Sequence, residues 1–305
     1  MTSACCRSVV SKLHCVGILT RLPSQKLFIN LKVHRSNTLA MSTSQLFTGN
    51  KQTELYAKFR PTYSSEVFAR IVSYCRETAS SLDLALDLGC GSGQSTVPLT
   101  KYFKQVIGTD VSRQQIAKTQ TDVGNLSFQV GSAEDLTGFK DSSVDLITIA
   151  QAFHWVDQDK CFSEVDRVLR PGGSFVVYGY GMWTIAHAQI LDHMIYVYSD
   201  VLGKYWPEGR AMIEEKYHTV SLPYTGWIRD DDISIDKQVD LDYLVGYIGS
   251  WSAFNKYDQG NPGNTLLADT KEKLKSLAGV NDKEMSDFQT TISWPVFLLM
   301  GHKPQ

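Results

Sequence analysis

The sequence lacks any stretch approaching about eighteen consecutive apolar residues, which excludes a helical membrane span. It has no C-x-x-C pair: Cys5, Cys6, Cys15, Cys75, Cys90 and Cys161 are spaced for neither a zinc nor a redox site and read as reduced thiols of an intracellular protein. The histidines show no ligand spacing, since His187 and His193 are six apart and fall off a common helix face, so no metal is assigned. Acid is missing altogether before Glu54, whereas Arg7, Lys12, Arg21, Lys26, Lys32, Arg35 and Lys51 precede it. The body that follows therefore sets 23 basic residues against all 32 acids. An acidic body argues against binding driven by phosphate neutralisation, and no nucleic-acid partner is expected.

The acid-free, Ser-bearing opening, residues 1–40, has the composition of a mitochondrial transit peptide or of a disordered extension. Met41 is a possible alternative start, so a mitochondrial and a cytoplasmic location both stay open. Residues 41–305 read as one domain: a core over about 50–180, an insert over about 181–290 and a final strand at 291–301.

Within the core, short apolar runs alternate with amphipathic stretches, the pattern of a parallel sheet with crossover helices. Strands are predicted at 84–88, 105–109, 126–130, 144–150 and 174–180. Helices are predicted near 94–103, after a Ser112 cap, and on the face carrying Phe162, Val165, Val168 and Leu169. That last helix is expected to stop at Pro171-Gly172-Gly173. Beyond residue 181 the pattern loosens. Helices are predicted at 185–202, 241–248 and 265–278, the last closed by Gly279. Pro295 in the final strand suggests an edge position or a bulge. The fold expected is α/β: a doubly wound, Rossmann-like, mainly parallel seven-stranded sheet with helices on both faces, and a C-terminal helical and loop insert capping the site.

The chemistry concentrates in Asp87-Leu88-Gly89-Cys90-Gly91-Ser92-Gly93, between the first strand and the next helix. Alternate glycines let the backbone turn tightly and approach a ligand without Cβ clashes. The spacing G-x-G-x-G differs from the dinucleotide form G-x-G-x-x-G, and the Lys and Ser/Thr of a P-loop are missing, which disfavours nucleoside triphosphate chemistry. Asp110 ends the second strand, where a carboxylate can accept both hydroxyl protons of a ribose. Gly131-Ser132-Ala133-Glu134 follows the third strand, placed to meet an adenine edge.

Together these residues resemble the class I S-adenosylmethionine-dependent methyltransferase core. Tyr56-Ala57-Lys58-Phe59-Arg60-Pro61-Thr62-Tyr63, Ala150-Gln151-Ala152-Phe153-His154-Trp155 and Ser250-Trp251-Ser252 resemble the trans-aconitate methyltransferase-like family within it. The resemblance implies S-adenosyl-L-methionine as cofactor. It implies cofactor binding by Tyr56, Asp87, Gly89, Gly91, Gly93, Asp110, Ser132, Ala133, Glu134 and Gln151. Many relatives carry Asp where this chain has Ser132, which shifts adenine recognition to backbone groups or to Glu134. His154 is implied to lie near the transferred methyl, as a base or as an orienting group. Tyr56, Arg60 and Tyr63 are expected to form an N-terminal lid, with Arg60 offering its planar fork to a carboxylate of cofactor or acceptor. Trp183, Trp206, Trp227 and Trp251 either wall the acceptor pocket or pack in the core.

The function expected is methyl transfer to a small molecule, by O-methylation of a carboxylic acid. Two other readings stay open: a methyltransferase acting on protein or RNA, and a non-catalytic cofactor-binding scaffold. The acidic body and the aromatic insert favour a closed pocket over a basic groove. The acceptor's identity and the oligomeric state are not legible.

Overall fold

A computed structural model describes Leu55, residues 58–119 and residues 122–305. The expectations for residues 1–40 and for Tyr56 lie outside the described residues.

The elements follow the alternation read from the sequence. Helix α1 (Ser65–Cys75) precedes β1 (Leu84–Leu88), β2 (Gln105–Asp110), α2 (Arg113–Ile116), β3 (Leu126–Val130), β4 (Val144–Ala150), α3 (Gln158–Val168) and β5 (Leu169–Tyr180). The insert supplies β6 (Thr184–Ile185), α4 (Ala188–Tyr196), α5 (Arg210–Glu214), β7 (Ile228–Asp230), β8 (Ser234–Val239), α6 (Leu241–Gly249), α7 (Ser252–Gly260) and α8 (Leu266–Ala278). Strand β9 (Thr290–His302) closes the chain.

The sheet runs β3-β2-β1-β4-β5-β9-β6, parallel from β3 through β5 and antiparallel at β9. The strand order reverses between β1 and β4, which opens a crevice at their carboxyl ends. Nine described strands stand where seven were expected, because β9 is 13 residues long and outreaches β5. Its second half pairs with β5 and β7, and its first half with β6 and β8. Pro295 therefore lies neither on an edge strand nor in a bulge. The ladder to β5 ends at Val296 and that to β6 starts at Ser293, so the missing N–H falls in the gap between them.

Period-two alternation splits the sheet's side chains between two cores. Leu146, Val176, Tyr178, Leu298 and Met300 face α1, α4, α6 and α8, whereas Ile147, Ile149, Phe175, Val177, Phe297 and Leu299 face α3 and α5. The helix expected at 94–103 shrinks to a 3-10 turn at Val97–Lys101. Ser95 and Thr96 donate their hydroxyls to Asp87, a side-chain bond that competes with helix start, and Pro98 follows. Strand β5 begins at Leu169, five residues before the expected start, and Gly172 takes the break inside it at φ 75°. Helix α8 ends at Gly279 in the left-handed region, as a C-terminal glycine should.

Candidate active site

A cavity of about 270 Å³ occupies the crevice at the carboxyl ends of the parallel strands. Its base is the turn after β1. Gly91 lines it at φ 56°, and a Cβ there would meet no protein atom within 4 Å, so the glycine keeps the cavity clear for a ligand. Gly93 serves the turn differently. It has φ 89° and does not line the cavity; a Cβ would strike the Phe128 ring at 2.7 Å. What the structure shows for Gly93 is close packing of the turn on β3.

Asp110 lines the cavity where β2 ends. Its two oxygens accept from the backbone N–H of Gly91 at 2.9 Å and of Ser112 at 2.8 Å. These bonds aim the carboxylate and tie it to the glycine turn. Ser112 also caps α2, its hydroxyl accepting from Gln115 N–H at 3.3 Å.

Asp87 is not among the residues that line the cavity. It is fully buried, and its carboxylate accepts from Ser95 at 2.7 Å, Thr96 at 2.6 Å and Thr148 at 2.8 Å. Burial pushes its pKa up against those three donors, which favour the charged form. Its place is that of a brace between the glycine turn and β4, because a strand-interior position points it between the sheet and the turn.

Ala133 and Glu134 line the cavity, while Ser132 does not. The Ser132 hydroxyl donates to Glu134, whose other oxygen accepts from Asp157 N–H at 2.9 Å. Both Glu134 oxygens thus accept from the chain itself, and each keeps a lone pair for a further donor, so the Ala133 backbone and Glu134 both stay open for an adenine edge. Gln151 and Gly89 also line the cavity. Gln151 sits in the left-handed region at φ 53°, unusual for a side-chain-bearing residue. Two bonds hold it there: its N–H donates to Tyr178 O at 3.0 Å and its Nε2 to Tyr180 O at 2.9 Å.

His154 and Arg60 are not among the cavity's lining residues. His154 is turned into the second core, with Nδ1 2.8 Å from the Tyr217 hydroxyl. Burial first, and the charge of Arg210 second, push its pKa down to about 3. The adjacent Trp155 lines the cavity in its stead. Arg60 donates to Ser250 O at 3.2 Å, at the carboxyl end of α6, where a helix's partial negative charge attracts a cation. Its guanidinium lies 5.6 Å from the Tyr247 ring. The segment before the core is pinned to α6 by this contact and by the Tyr243 hydroxyl, which donates to Phe59 O at 2.9 Å. Pro61 and Tyr63 of that segment do line the cavity. Trp183 and Trp251 pack together at 5.1 Å inside the first core, so these tryptophans are core residues.

Tyr180, Gln94 and Gln115 line the cavity without having been singled out in the sequence. Tyr180 closes the fifth strand, and a strand-end position next to the crevice was the signal available for it. The described lining carries two carboxylates, Asp110 and Glu134, and no Lys, Arg or His. This set suits a ligand with vicinal hydroxyls and net positive charge, the character of an adenosyl sulfonium amino acid.

Among the described residues no helix is long and apolar enough to cross a membrane, and no group of three or more His, Cys, Asp or Glu is placed to hold a metal ion.

The model of the family described as a methyltransferase domain matches residues 86–177. A methyltransferase of Dictyostelium discoideum is 33% identical over 252 residues, covering 81% of this chain and 92% of that protein. An S-adenosylmethionine-dependent methyltransferase of Saccharomyces cerevisiae is 24% identical over 300 residues, covering 86% and 99%. A type II methyltransferase structure from Anaeromyxobacter dehalogenans superposes with a TM-score of 0.68 at 30% identity, covering 81% of this chain and all of that one. With its glycine cradle, its aimed Asp110 and these relatives spanning most of its length, the chain belongs to the class I S-adenosylmethionine-dependent methyltransferase family.

Proposed function

We propose that the protein O-methylates a small carboxylic acid. The observation that carries this reading is the absence of a poised base at the described cavity. Asp110 and Glu134 are each engaged by two donors. Burial drives the Cys90 thiol's pKa up, away from the reactive thiolate. His154, the nearest imidazole in sequence, lies outside the lining with a pKa of about 3, far below the range suited to a base at neutral pH. A carboxylate acceptor needs no base, since carboxyls titrate at about 4 and are ionised near neutrality.

When bound, S-adenosylmethionine supplies an electrophilic methyl group on a sulfonium. The chain's own residues bind and orient. Gly91 leaves room, Asp110 would accept from the ribose hydroxyls, and the Ala133 backbone and Glu134 would meet the adenine. Pro61, Tyr63, Tyr180 and Trp155 wall the remaining space and limit water. Alignment and water exclusion are the main demands of an in-line displacement. An aromatic-walled cavity favours a small acceptor over a macromolecule.

The test is transfer of a labelled methyl to a panel of carboxylic acids by the purified protein. Formation of an alkali-labile methyl ester is the expected result. A labelled product that survives mild alkaline hydrolysis ends the carboxylate reading and leaves the methyltransferase assignment intact.

A further inference from the structure

We propose that Tyr180 is the acceptor-binding residue of the cavity, its hydroxyl donating to the oxygen of the acceptor carboxylate that is not methylated. The inference rests on the carboxylic-acid reading and names the group of this chain that would hold the acid.

Strand order lays the cavity's polar groups out in a row. Along β3-β2-β1-β4-β5, Ala133 and Glu134 follow β3, Asp110 ends β2, Gly91 follows β1, Gln151 follows β4 and Tyr180 ends β5. An adenosyl group with its ribose at Asp110 and its adenine at Ala133 and Glu134 takes the β2–β3 end. The β4–β5 end is left for the acceptor.

Chemistry selects Tyr180 at that end. The described lining offers an anion no cation, so a neutral donor has to hold it. Gln151 commits its Nε2 to Tyr180 O at 2.9 Å. Trp155 is 36% exposed, so water reaches its ring. Tyr180 is 6% exposed, lines the cavity, and its hydroxyl is bonded to no described residue. It is not sealed in, either. The Tyr178 hydroxyl is enclosed without a partner, whereas that of Tyr180 keeps accessible surface. The Tyr180 ring is held by Tyr63 at 6.0 Å, and a donor on a fixed ring loses little freedom when it binds.

The surrounding field suits an anion. The pKa of the buried Tyr247 phenol is raised by burial first, drawn back by the Arg60 charge and raised further by Tyr180, so Arg60 and Tyr180 act at one point. A carboxylate at Tyr180 therefore lies in the field of Arg60, although that side chain is engaged with the carboxyl end of α6.

One oxygen of the carboxylate bonds to the methyl carbon as the carbon–sulfur bond breaks. The electron pair of that bond stays on sulfur, and no proton moves. The other oxygen loses charge as the ester forms. A donor to it is thus strongest toward the bound acid and weaker in the transition state, so its loss belongs to binding and not to turnover.

The experiment compares wild type with Y180F, which keeps the ring and removes the hydroxyl, using the acid of the carboxylic-acid panel that yields the most ester. The KM for that acid should rise about 10- to 100-fold, the scale of a hydrogen bond to a charged group, with kcat little changed. Calorimetric affinity of the acid for protein saturated with S-adenosylhomocysteine should fall by the same factor. Affinity for S-adenosylhomocysteine itself and the melting temperature should stay at their wild-type values, because the hydroxyl bonds to nothing in the fold. Ester formed with wild-type KM overturns the assignment to Tyr180 alone. So does a fall in melting temperature or in S-adenosylhomocysteine affinity, which would make the hydroxyl a structural or cofactor group. No ester from any acid overturns the carboxylic-acid reading and this inference with it.

Discussion

The Nδ1 atom of His154 lies 2.8 Å from the hydroxyl of Tyr217, and that bond turns the ring away from the cavity that its neighbour Trp155 lines. Consecutive residues at the end of β4 thus divide between cavity and core. The consequence is a histidine held neutral inside the protein.

That neutrality sets a pH dependence. The folded pKa of about 3 lies below the ordinary value of 6.5. Between the two, the unfolded chain binds the proton and the folded one does not. Stability from this residue is complete above about pH 6.5 and is lost as pH falls toward 3, by at most about 1.4 kcal/mol per pH unit. Urea unfolding over that window should show a shallower slope in H154Q; an identical slope would refute the burial argument. Turnover of H154Q should fall by no more than about tenfold, where loss of a true base costs about 10²–10⁴.

Asp110→Ala should weaken S-adenosylhomocysteine binding by about 1–3 kcal/mol in calorimetry, because hydroxyls of the ligand lose their acceptor. The same change frees the N–H groups of Gly91 and Ser112. A modest fall in the urea midpoint should accompany it. Wild-type affinity in this variant would remove Asp110 from the cofactor site.

The glycines of the turn should separate by readout. Gly91→Ala and Gly93→Ala both place a side chain at positive φ, a strain of about 1 kcal/mol or more. Gly91→Ala projects its methyl into open space, so its main loss should be in cofactor affinity. Gly93→Ala also overlaps the Phe128 ring and should lose more stability than Gly91→Ala. Paired melting and binding measurements check the order, and equal stability losses would contradict it.

Asp87→Ala leaves the Ser95, Thr96 and Thr148 hydroxyls without their shared acceptor. A loss of about 3 kcal/mol is expected, at roughly 1 kcal/mol per bond. Protein that remains folded at low temperature should still bind S-adenosylhomocysteine, with affinity reduced less than in Asp110→Ala. The opposite order would return Asp87 to direct contact with the cofactor.

Much of this was legible from local pattern. Strands β1, β3 and β4 fall at the residues predicted, β1 and β4 because buried parallel strands are largely apolar runs bounded by turn residues, and β3 because its residues alternate as those of a half-exposed edge strand do. The glycine turn and Asp110 were readable because close backbone approach and a strand-end carboxylate have few residue solutions. The short strands β6, β7 and β8 were not, since each exists through its pairing with β9 and carries little periodicity of its own.

Residue type and order determined on their own the α/β core, the glycine cradle after β1 and the carboxylate that ends β2, since each depends on conformational limits of the residues themselves. Direction was decided by the tertiary structure. Only the packed fold sends Asp87 inward to three hydroxyls, turns His154 to Tyr217 and draws Arg60 to the end of α6. The physical reason is that a side chain's pKa and partners come from groups far along the chain, 63 residues away for His154 and 190 for Arg60, and no local pattern encodes them.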